Sequence, residues 1–205
     1  MAGVTTRREQ LIRRRLEESV QSKQAMLGAE SACISLAAAA AEEIVRALRA
    51  GGKVIFFGNG GSAMDAGHLA AELLGRFYRD RPALPSISLP DSTAAMTAIG
   101  NDYDYAEVFA RQVVGLGRRG DVLVGLTTSG RSANVVRALA VGRDLGMVTV
   151  ALTGASGGDV AKVADICITV PTTDTPRVQE ACMHLGHTIC EIVEEEMFPE
   201  DPGPG

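Results

Sequence analysis

Tryptophan is absent from the 205 residues of this sequence, and aromatic residues make up only 4% of it. Glycine, by contrast, occurs 23 times, so glycine-rich loops are a better place to look for function than aromatic platforms. The formal net charge is −5, whereas proteins that coat nucleic acid usually present a basic face. No run of about 18 apolar residues is present, so no segment is expected to span a membrane. The composition therefore predicts neither a nucleic-acid nor a membrane partner.

Cysteine is scarce as well, with four residues at Cys33, Cys167, Cys182 and Cys190. None of them forms a CxxC pair, and two lie in apolar runs, which indicates buried thiols in a reducing compartment. The N-terminal stretch is rich in arginine but has no long apolar segment, so no secretory signal is expected. These observations predict a cytoplasmic protein.

The chain is long enough for one sizeable core and has no linker that would divide it. Its first 50 residues are predicted to form two helices, over 5–27 and 30–50. In the first helix, Ile12, Leu16 and Val20 recur every four positions. In the second, the run Ala37–Ala41 favours a helix that neighbours can approach closely. A packed helix pair and a subunit interface are both consistent with this pattern.

After residue 53 the pattern changes to short apolar runs separated by helical stretches. Buried strands are predicted at Val54–Phe57, Val122–Leu126, Val148–Leu152 and Ile166–Val170, with a weaker candidate at Ile87–Leu89. Helices are predicted over 62–75, 92–99, 104–116, 132–145 and 157–164, and a last one from Pro176 to Met197. This alternation predicts an α/β fold, a three-layer αβα sandwich with a five-stranded parallel sheet, preceded by N-terminal helices.

The first strand leads into the loop Gly58-Asn59-Gly60-Gly61-Ser62, which is followed by a helix. Glycines let the backbone approach a ligand closely, and a helix N-terminus presents free N–H groups to an anion. The spacing Gly58-x-Gly60-x-x-Ala63 also resembles a dinucleotide-binding fingerprint, which requires an acidic residue at the end of the next strand. Asp80 lies instead in a polar, arginine-rich stretch that is not a strand. The loop is therefore predicted to bind an anion, and dinucleotide binding is the weaker alternative.

A second loop of the same type, Thr127-Thr128-Ser129-Gly130-Arg131-Ser132, follows another buried strand. Its hydroxyls would also serve as turn and capping groups, and Ser132 is a suitable N-cap. However, both loops follow parallel strands at the edge where open α/β sheets bind ligands. Together they favour one phosphate held by hydroxyls and amides from both sides.

The chain has only three histidines, and two of them are spaced to share a helix face with another polar residue. His68 and Glu72 are four residues apart, and Gln179 lies eight residues before His187. A carboxylate and an imidazole beside a phosphate loop provide general acid–base chemistry. The four residues would alternatively bind a divalent metal, although an amide oxygen is an unusual zinc ligand. A solvated His68–Glu72 ion pair, and a packed core or interface position for His184, are the simpler interpretations.

Four short motifs, taken together, resemble the sedoheptulose 7-phosphate isomerases, also called phosphoheptose isomerases, which are single SIS domains. The motifs are Gly58-Asn59-Gly60-Gly61-Ser62, Gly100-Asn101-Asp102, Thr127-Thr128-Ser129-Gly130-Arg131-Ser132-Ala133-Asn134 and Arg177-Val178-Gln179-Glu180. The resemblance runs from the N-terminal helix to Met197, nearly the whole chain. It implies a flavodoxin-like SIS fold and a homotetramer with active sites shared between subunits. It also implies an aldose–ketose isomerase that converts sedoheptulose 7-phosphate to a D-glycero-heptose 7-phosphate in heptose biosynthesis.

On this basis, residues 1–50 are expected to be N-terminal helices in the oligomer interface, 51–198 a SIS domain and 199–205 a flexible tail. The resemblance further implies that Glu72 is the catalytic base and His187 the catalytic acid. One zinc ion per subunit is implied, with His68, Glu72, Gln179 and His187 as its ligands. The implied substrate- and phosphate-binding positions are Asn59, Gly60, Gly61, Ser62, Arg76, Asn101, Asp102, Thr127, Thr128, Ser129, Ser132 and Gln179.

The sequence departs from the family pattern at Pro176, where some members have an acidic residue three positions before the glutamine. Asp174 lies two residues upstream, so contacts from this segment to the sugar hydroxyls, and the configuration of the product, stay open. A second interpretation is a non-catalytic SIS protein that binds a replication initiator or another protein partner. The C-terminal ends of such proteins resemble Phe198-Pro199, which follows the last helix here. Such proteins tend to lack the full acid–base set, so the enzyme is favoured.

Overall fold

The computed structural model describes residues 6–28 and 31–199. Within them the strands are β1 (Val54–Gly58), β2 (Ser86–Ser88), β3 (Val122–Thr127), β4 (Val148–Gly154) and β5 (Ile166–Val170). The α-helices are α1 (Arg7–Met26), α2 (Cys33–Arg49), α3 (Gly61–Leu74), α4 (Thr93–Asp102), α5 (Ala110–Leu116), α6 (Ala133–Asp144) and α7 (Thr175–Met197). Single 3₁₀ turns lie at Leu89–Asp91, Tyr105–Glu107 and Val160–Lys162.

The five strands form one parallel sheet in the order β2-β1-β3-β4-β5. Successive residues of a strand face opposite sides of a sheet, and both sides are covered here. Phe56 therefore packs in a core with α2, α3 and α7 residues such as Ile189. Phe57 packs on the other side in a core with α5 and α6 residues such as Val113 and Leu139. The predicted three-layer αβα sandwich with a five-stranded parallel sheet is confirmed.

Two of the predicted helices are shorter in the structure than their sequence pattern indicates. The stretch 104–116 begins with a 3₁₀ turn, in which Asp104 accepts a hydrogen bond from the Ala106 N–H at 2.7 Å, and α5 starts only at Ala110. The stretch 157–164 contains only the turn Val160–Lys162. Both Asp159 and Val160 donate their N–H groups to the Gly130 carbonyl oxygen, so this segment is held against the neighbouring loop rather than wound into a helix.

The first helix begins at a capping box. Thr6 accepts from the Glu9 N–H at 3.3 Å, and Glu9 accepts from the Thr6 N–H at 2.6 Å, which satisfies two of the free donors at the helix start. The apolar stripe of this helix is not covered within the single chain, because Ile12, Leu16 and Val20 are 60%, 64% and 54% exposed. The stripe borders an open cleft of about 540 Å³. An uncovered stripe of this kind indicates an interaction surface.

The second helix belongs to the core of the sheet. Ile44 and Leu48 of α2 lie in the same buried cluster as residues of β1 and α7. The expected flexible tail, apart from Pro199, lies outside the described residues. Among the helices of the described chain, none is long and apolar enough to cross a membrane.

Candidate active site

The two hydroxyl-rich loops meet at one edge of the sheet. One loop joins β1 to α3, and the other joins β3 to α6, and β1 and β3 are direct neighbours. Strand β2 lies on one side of β1, and β3, which comes later in the chain, lies on the other side of β1. Such a reversal in strand order opens a crevice beyond the carboxyl ends of the strands, where open α/β sheets bind ligands. Helices α3 and α6 both start at this crevice, so their positive N-terminal ends favour an anion there.

A pair of asparagine side chains joins the two loops. The Asn59 Nδ2 donates to the Asn134 Oδ1 at 2.8 Å, and the Asn134 Nδ2 donates back to the Asn59 Oδ1 at 2.9 Å. The hydroxyl of Tyr105 also donates to the Asn59 Oδ1, at 3.3 Å. Since Asn134 is buried, this reciprocal pair of hydrogen bonds fixes the distance between Asn59 of the first loop and the start of α6.

Hydroxyl groups line the same crevice. Ser62 and Thr127 are buried, while Ser132 is half-buried and Ser129 exposed. The Thr127 and Ser132 hydroxyl oxygens lie 3.2 Å apart, and the Ser129 Oγ accepts from the Arg131 N–H at 3.2 Å. Thr127, Ser129 and Ser132 thus hydrogen-bond within their own loop, which gathers hydroxyl groups of the kind that suit an anion.

Two glycines of the loops lie in close contact with other parts of the chain. A side chain at Gly61 would overlap the amide of Gln179, which therefore rests against the first loop. Gly130 has a φ of 68°, and a side chain there would overlap the backbone of Gly157. The first close approach brings α7 to the loop that begins α3, and the second fixes the β3 loop against the β4 loop.

A cluster of two histidines and one carboxylate lies where α3 and α7 cross. The His68 Nε2 is 2.8 Å from the Glu72 Oε1 and 3.1 Å from the His187 Nε2. One ligand atom from each of the three residues lies within 4.8 Å of the other two. Glu72 and His187 are half-buried, and His68 is exposed. The cluster combines a carboxylate base, an imidazole and a donor set that would suit a metal ion.

The crossing of the two helices is held close by a glycine. A Cβ atom on Gly186 would lie 2.8 Å from both terminal carbons of Leu69, so the backbone of α7 contacts the side chain of α3 directly. Gly186 precedes His187, and Leu69 follows His68. The ring of Phe77 stacks on the His187 ring, with a centroid distance of 5.8 Å and an interplanar angle of 29°. The position of His187 is therefore set by the helix crossing and by the Phe77 ring.

A second carboxylate lies one turn before His68. Burial raises the pKa of Asp65, and the nearby charge of His68 offsets part of that effect. The raised pKa marks a carboxyl that is partly removed from water beside the histidine cluster, an arrangement that is frequent in functional sites.

The four cysteines, Cys33, Cys167, Cys182 and Cys190, are free thiols, so no disulfide forms among them. Burial raises the pKa of Cys182 and Cys190 to about 12.

The structure brings together most of the predicted site residues but not all of them. Asn59, the hydroxyls of both loops and Gln179 surround the crevice, and His68, Glu72 and His187 form one cluster. Asn101 and Asp102 are exposed at the end of α4 and hydrogen-bond to each other at 2.8 Å. Within the described single chain, no hydrogen bond joins them to the loops. Arg76 is exposed on the segment after α3, so its predicted substrate contact, like those of Asn101 and Asp102, stays a prediction.

Three residues of the site were not assigned a role from the sequence. Asn134 pairs with Asn59, Phe77 stacks on His187, and Asp65 lies beside His68. Only Asp65 had a sequence signal, because it is three residues before His68 and seven before Glu72 on the same helix face. The partners of Asn134 and Phe77 are 75 and 110 residues away along the chain, so no local spacing could identify them.

The fold and site define a SIS-domain protein, and a family model described as SIS domain matches residues 17–154. The phosphoheptose isomerase of Thermodesulfovibrio yellowstonii is 46% identical over 190 residues, which cover 93% of both chains. That of Aneurinibacillus thermoaerophilus is 43% identical over 187 residues, 91% of this chain and 94% of the relative. The solved phosphoheptose isomerase from Francisella tularensis superposes with a TM-score of 0.88 at 36% identity, covering 93% of this chain and 100% of that one. The chain belongs to the phosphoheptose isomerase family of sugar-phosphate isomerases.

Proposed function

We propose that this protein interconverts sedoheptulose 7-phosphate and D-glycero-heptose 7-phosphate in heptose biosynthesis, through an enediolate intermediate. The observation that carries the proposal is the cluster of Glu72, His68 and His187 beside two hydroxyl-rich loops on a parallel sheet. Membership of the phosphoheptose isomerase family supports the same substrate. A non-catalytic protein of this fold would have no need to keep the carboxylate and the two imidazoles in contact.

The phosphate group of the sugar binds between the two loops. Ser62, Ser129, Ser132 and Thr127 offer hydroxyl donors, and the N-terminal ends of α3 and α6 provide a favourable field for a dianion. The phosphate is remote from the reacting carbons, so its binding energy serves to orient the sugar for reaction. Along α3, His68 lies six residues or about 9 Å beyond Ser62, a length comparable with that of an open-chain heptose. The reacting end of the sugar thus reaches the histidine cluster.

The proton transfers are assigned to Glu72 and His187. Glu72 removes a proton from C1 of the ketose, while His187 donates a proton to the C2 oxygen, which gives the enediol by way of the enediolate. His187 then takes the proton of the C1 hydroxyl, and Glu72 returns its proton to C2. The C1–H and O1–H bonds are broken and the C2–H and O2–H bonds formed, so the reaction is balanced without an added oxidant or reductant.

A divalent metal such as zinc fits the residues of this cluster. Two imidazole Nε2 atoms face each other at 3.1 Å with a carboxylate oxygen close by, and zinc binds both ligand types. His68, Glu72 and His187 would hold the ion, with the Gln179 amide as the proposed fourth ligand. A bound ion would supply positive charge to stabilise the enediolate. Only Oε1 of Glu72 contacts His68, so the second carboxylate oxygen is the one we assign to proton transfer.

The oligomer that we propose is a homotetramer with active sites shared between subunits. Helix α1 leaves an apolar stripe uncovered, and α4 has no buried residue in the single chain. A second cleft of about 430 Å³ between α1, α2 and α7 is lined mainly by apolar groups, among them Ile34 and Ile192. In this proposal α1 and the exposed face of α2 belong to the interface, while 51–198 form the catalytic part of the SIS domain. Light scattering of the wild type and of Leu16→Glu tests this, and a wild-type monomer would contradict it.

The catalytic assignment is tested with Glu72→Gln, which keeps the shape of the side chain and removes the base. We expect kcat to fall by about 10²- to 10⁴-fold, measured by NMR detection of the aldose from sedoheptulose 7-phosphate. Exchange of the C1 proton with deuterated solvent should be lost in parallel. The matched control is Asp144→Asn, which is exposed at the far end of α6. A folded Glu72→Gln variant that isomerises at the wild-type rate would refute the assignment.

The metal is tested separately from the acid–base pair. Elemental analysis of protein purified without added metal should find about one zinc per subunit, and His68→Gln should lose it. His184→Gln is the control, because His184 is exposed on the same helix as His187 but outside the cluster. Full activity after exhaustive chelation would remove the metal from the mechanism.

A further inference from the structure

We propose that Arg81 and Glu194 form a buried clamp that positions Glu72 and His187 for catalysis. The inference rests on the catalytic roles proposed above for those two residues. Helix α3 carries the phosphate loop at its first turn and Glu72 near its last turn. The clamp acts at the last turn, on the side of the site away from the phosphate. It therefore has an effect on turnover that is separable from phosphate binding.

Glu194 of α7 binds the segment that follows α3. Its Oε2 accepts from the N–H groups of Tyr78 and Arg79 at 2.7 and 2.9 Å, and its Oε1 accepts from the Phe77 N–H at 3.0 Å. The fourth donor is the Arg81 Nε, at 2.8 Å. Burial raises the pKa of Glu194, but these hydrogen bonds lower it further than burial raises it, so the net pKa lies below the ordinary value. The carboxylate is thus ionised and fully satisfied.

Arg81 binds the end of α3 directly. Its Nη2 donates to the Glu72 carbonyl oxygen at 2.8 Å, and its Nη1 donates to the carbonyl oxygens of Leu73 and Gly75 at 2.8 and 3.2 Å. The last carbonyls of a helix lack partners within the helix, so Arg81 completes the turn that carries Glu72. The side chains of Arg81 and Glu194 are both only 2% exposed, so water does not compete for these bonds.

The clamp also reaches His187, by two routes. Glu194 lies seven residues after His187, which places both side chains on one face of α7 two turns apart. In addition, Glu194 holds the backbone of Phe77, whose ring stacks on the His187 ring at 5.8 Å. One carboxylate and one guanidinium therefore join the turn that carries Glu72 to the helix that carries His187. The phosphate loops make no hydrogen bond with either clamp residue in the described chain.

The clamp predicts a split between kcat and phosphate binding. In Glu194→Gln, only one oxygen of the side chain remains as an acceptor. The amide NH₂ group takes the place of the other oxygen and faces a backbone N–H group, with which it cannot form a hydrogen bond. In Arg81→Lys, the positive charge stays but the planar group that reaches both Glu72 and Glu194 is lost. We expect kcat to fall by about tenfold to a hundredfold in each, since small displacements of reacting groups have effects of this size. KM and the Kd for inorganic phosphate should stay within about twofold, because the loops are unchanged.

The matched control is Asp121→Asn, which weakens another buried ion pair. Asp121 is buried at the start of β3, where it accepts from the Lys53 Nζ at 2.6 Å and from the N–H groups of Lys53 and Arg118 at 3.0 and 2.8 Å. It lies at the amino ends of the strands, whereas the site lies at their carboxyl ends. We expect both Glu194→Gln and Asp121→Asn to lower Tm, with kcat unchanged only in Asp121→Asn. Assays are made well below the lowest Tm of the set.

The NMR signals of the histidine side chains report the geometry of the cluster without any substrate turnover. The three imidazoles should give separate signals in ¹H–¹³C NMR spectra, which one His→Gln variant each would assign. Glu194→Gln and Arg81→Lys should shift the His68 and His187 signals and leave His184 in place, while Asp121→Asn should shift none. Unmoved His68 and His187 signals would overturn the clamp, as would equal kcat losses in the Asp121→Asn control. A wild type without activity on sedoheptulose 7-phosphate would instead refute the proposed function alone.

Discussion

Replacement of Gly186 by alanine tests whether the close crossing of α3 and α7 sets the geometry of the proposed catalytic cluster, His68, Glu72 and His187. The new methyl carbon would lie 2.8 Å from both terminal carbons of Leu69, well inside contact distance. Leu69 is only 1% exposed, so its side chain cannot turn into solvent to make room. The helices must separate, or Leu69 must adopt a poorer rotamer, and either change reaches the adjacent His68 and His187.

The expected effect on stability is small, because two terms oppose each other. An added methyl in a packed core destabilises by about 1–3 kcal/mol, while glycine to alanine within a helix stabilises by about 1 kcal/mol. The net loss is therefore about 0–2 kcal/mol, which for a chain of this size lowers Tm by up to about 8 °C. The effect on catalysis should be larger. A shift of His187 of the order of 1 Å from His68 is expected to lower kcat by about tenfold to a hundredfold.

The assay compares Gly186→Ala with Gly115→Ala by calorimetry and steady-state kinetics. Gly115 also lies within a helix, α5, but a Cβ there has nothing within 4 Å. Because Gly115 lies in the last turn of α5, its replacement should raise stability by at most about 0.5–1 kcal/mol and leave kcat unchanged. Leu69→Val in the Gly186→Ala background shortens the opposing side chain and should restore part of kcat, which a double-mutant cycle measures as a favourable coupling.

Two results would refute this reasoning. A Gly186→Ala variant with wild-type kcat would mean that the helices absorb the methyl group without moving the histidines. An equal loss of kcat in Gly115→Ala would mean that the effect comes from glycine replacement in general rather than from the crossing.

Three further outcomes are expected. Asn134→Ala should leave the Asn59 amide without its partner, lower stability by about 1–3 kcal/mol and raise KM; unchanged melting and KM would contradict the pairing. Burial raises the pKa of Asp65, so the folded state holds this proton more tightly than the unfolded state, and stability should fall as pH rises above the unfolded pKa. Asp65→Asn should flatten that fall in denaturant titrations between pH 4 and 7, and an identical pH profile would count against it. Cys182 and Cys190, with pKa values of about 12, should react with a disulfide reagent at pH 8 only after unfolding; rapid native-state reaction would show that they are accessible.

Much of the fold was predictable because its signals are local. Continuous apolar runs gave four of the five strands, since strands covered on both faces have no polar alternation. The two loops were predictable for the same reason, as glycines and hydroxyls lie within a few residues of a strand end. The weaker pattern at Ser86–Ser88 reflects an edge strand of only three residues. The helix predicted over 157–164 was wrong because the N–H groups of Asp159 and Val160 donate to Gly130 in another loop.

The site was predictable only in part. His68 and Glu72 share a helix face, so their contact follows from helix geometry alone. The sequence also supplied the residue types, and through the family resemblance it supplied the assignment of Glu72 and His187. It gave no sign of Asn134 as the partner of Asn59, or of Phe77 as the neighbour of His187, because these residues are not close along the chain.

By itself, then, the sequence determined the parallel α/β sheet, the place of two glycine- and hydroxyl-rich loops at its strand ends and the pairing of His68 with Glu72. Only the tertiary structure decided that His187 lies 3.1 Å from His68, 119 residues earlier, and that Glu194 binds Arg81 across 113 residues. The physical reason is that side-chain spacing within a helix is fixed by the backbone. Contacts between helices depend instead on how closely they pack, which here is set by the absence of a side chain at Gly186.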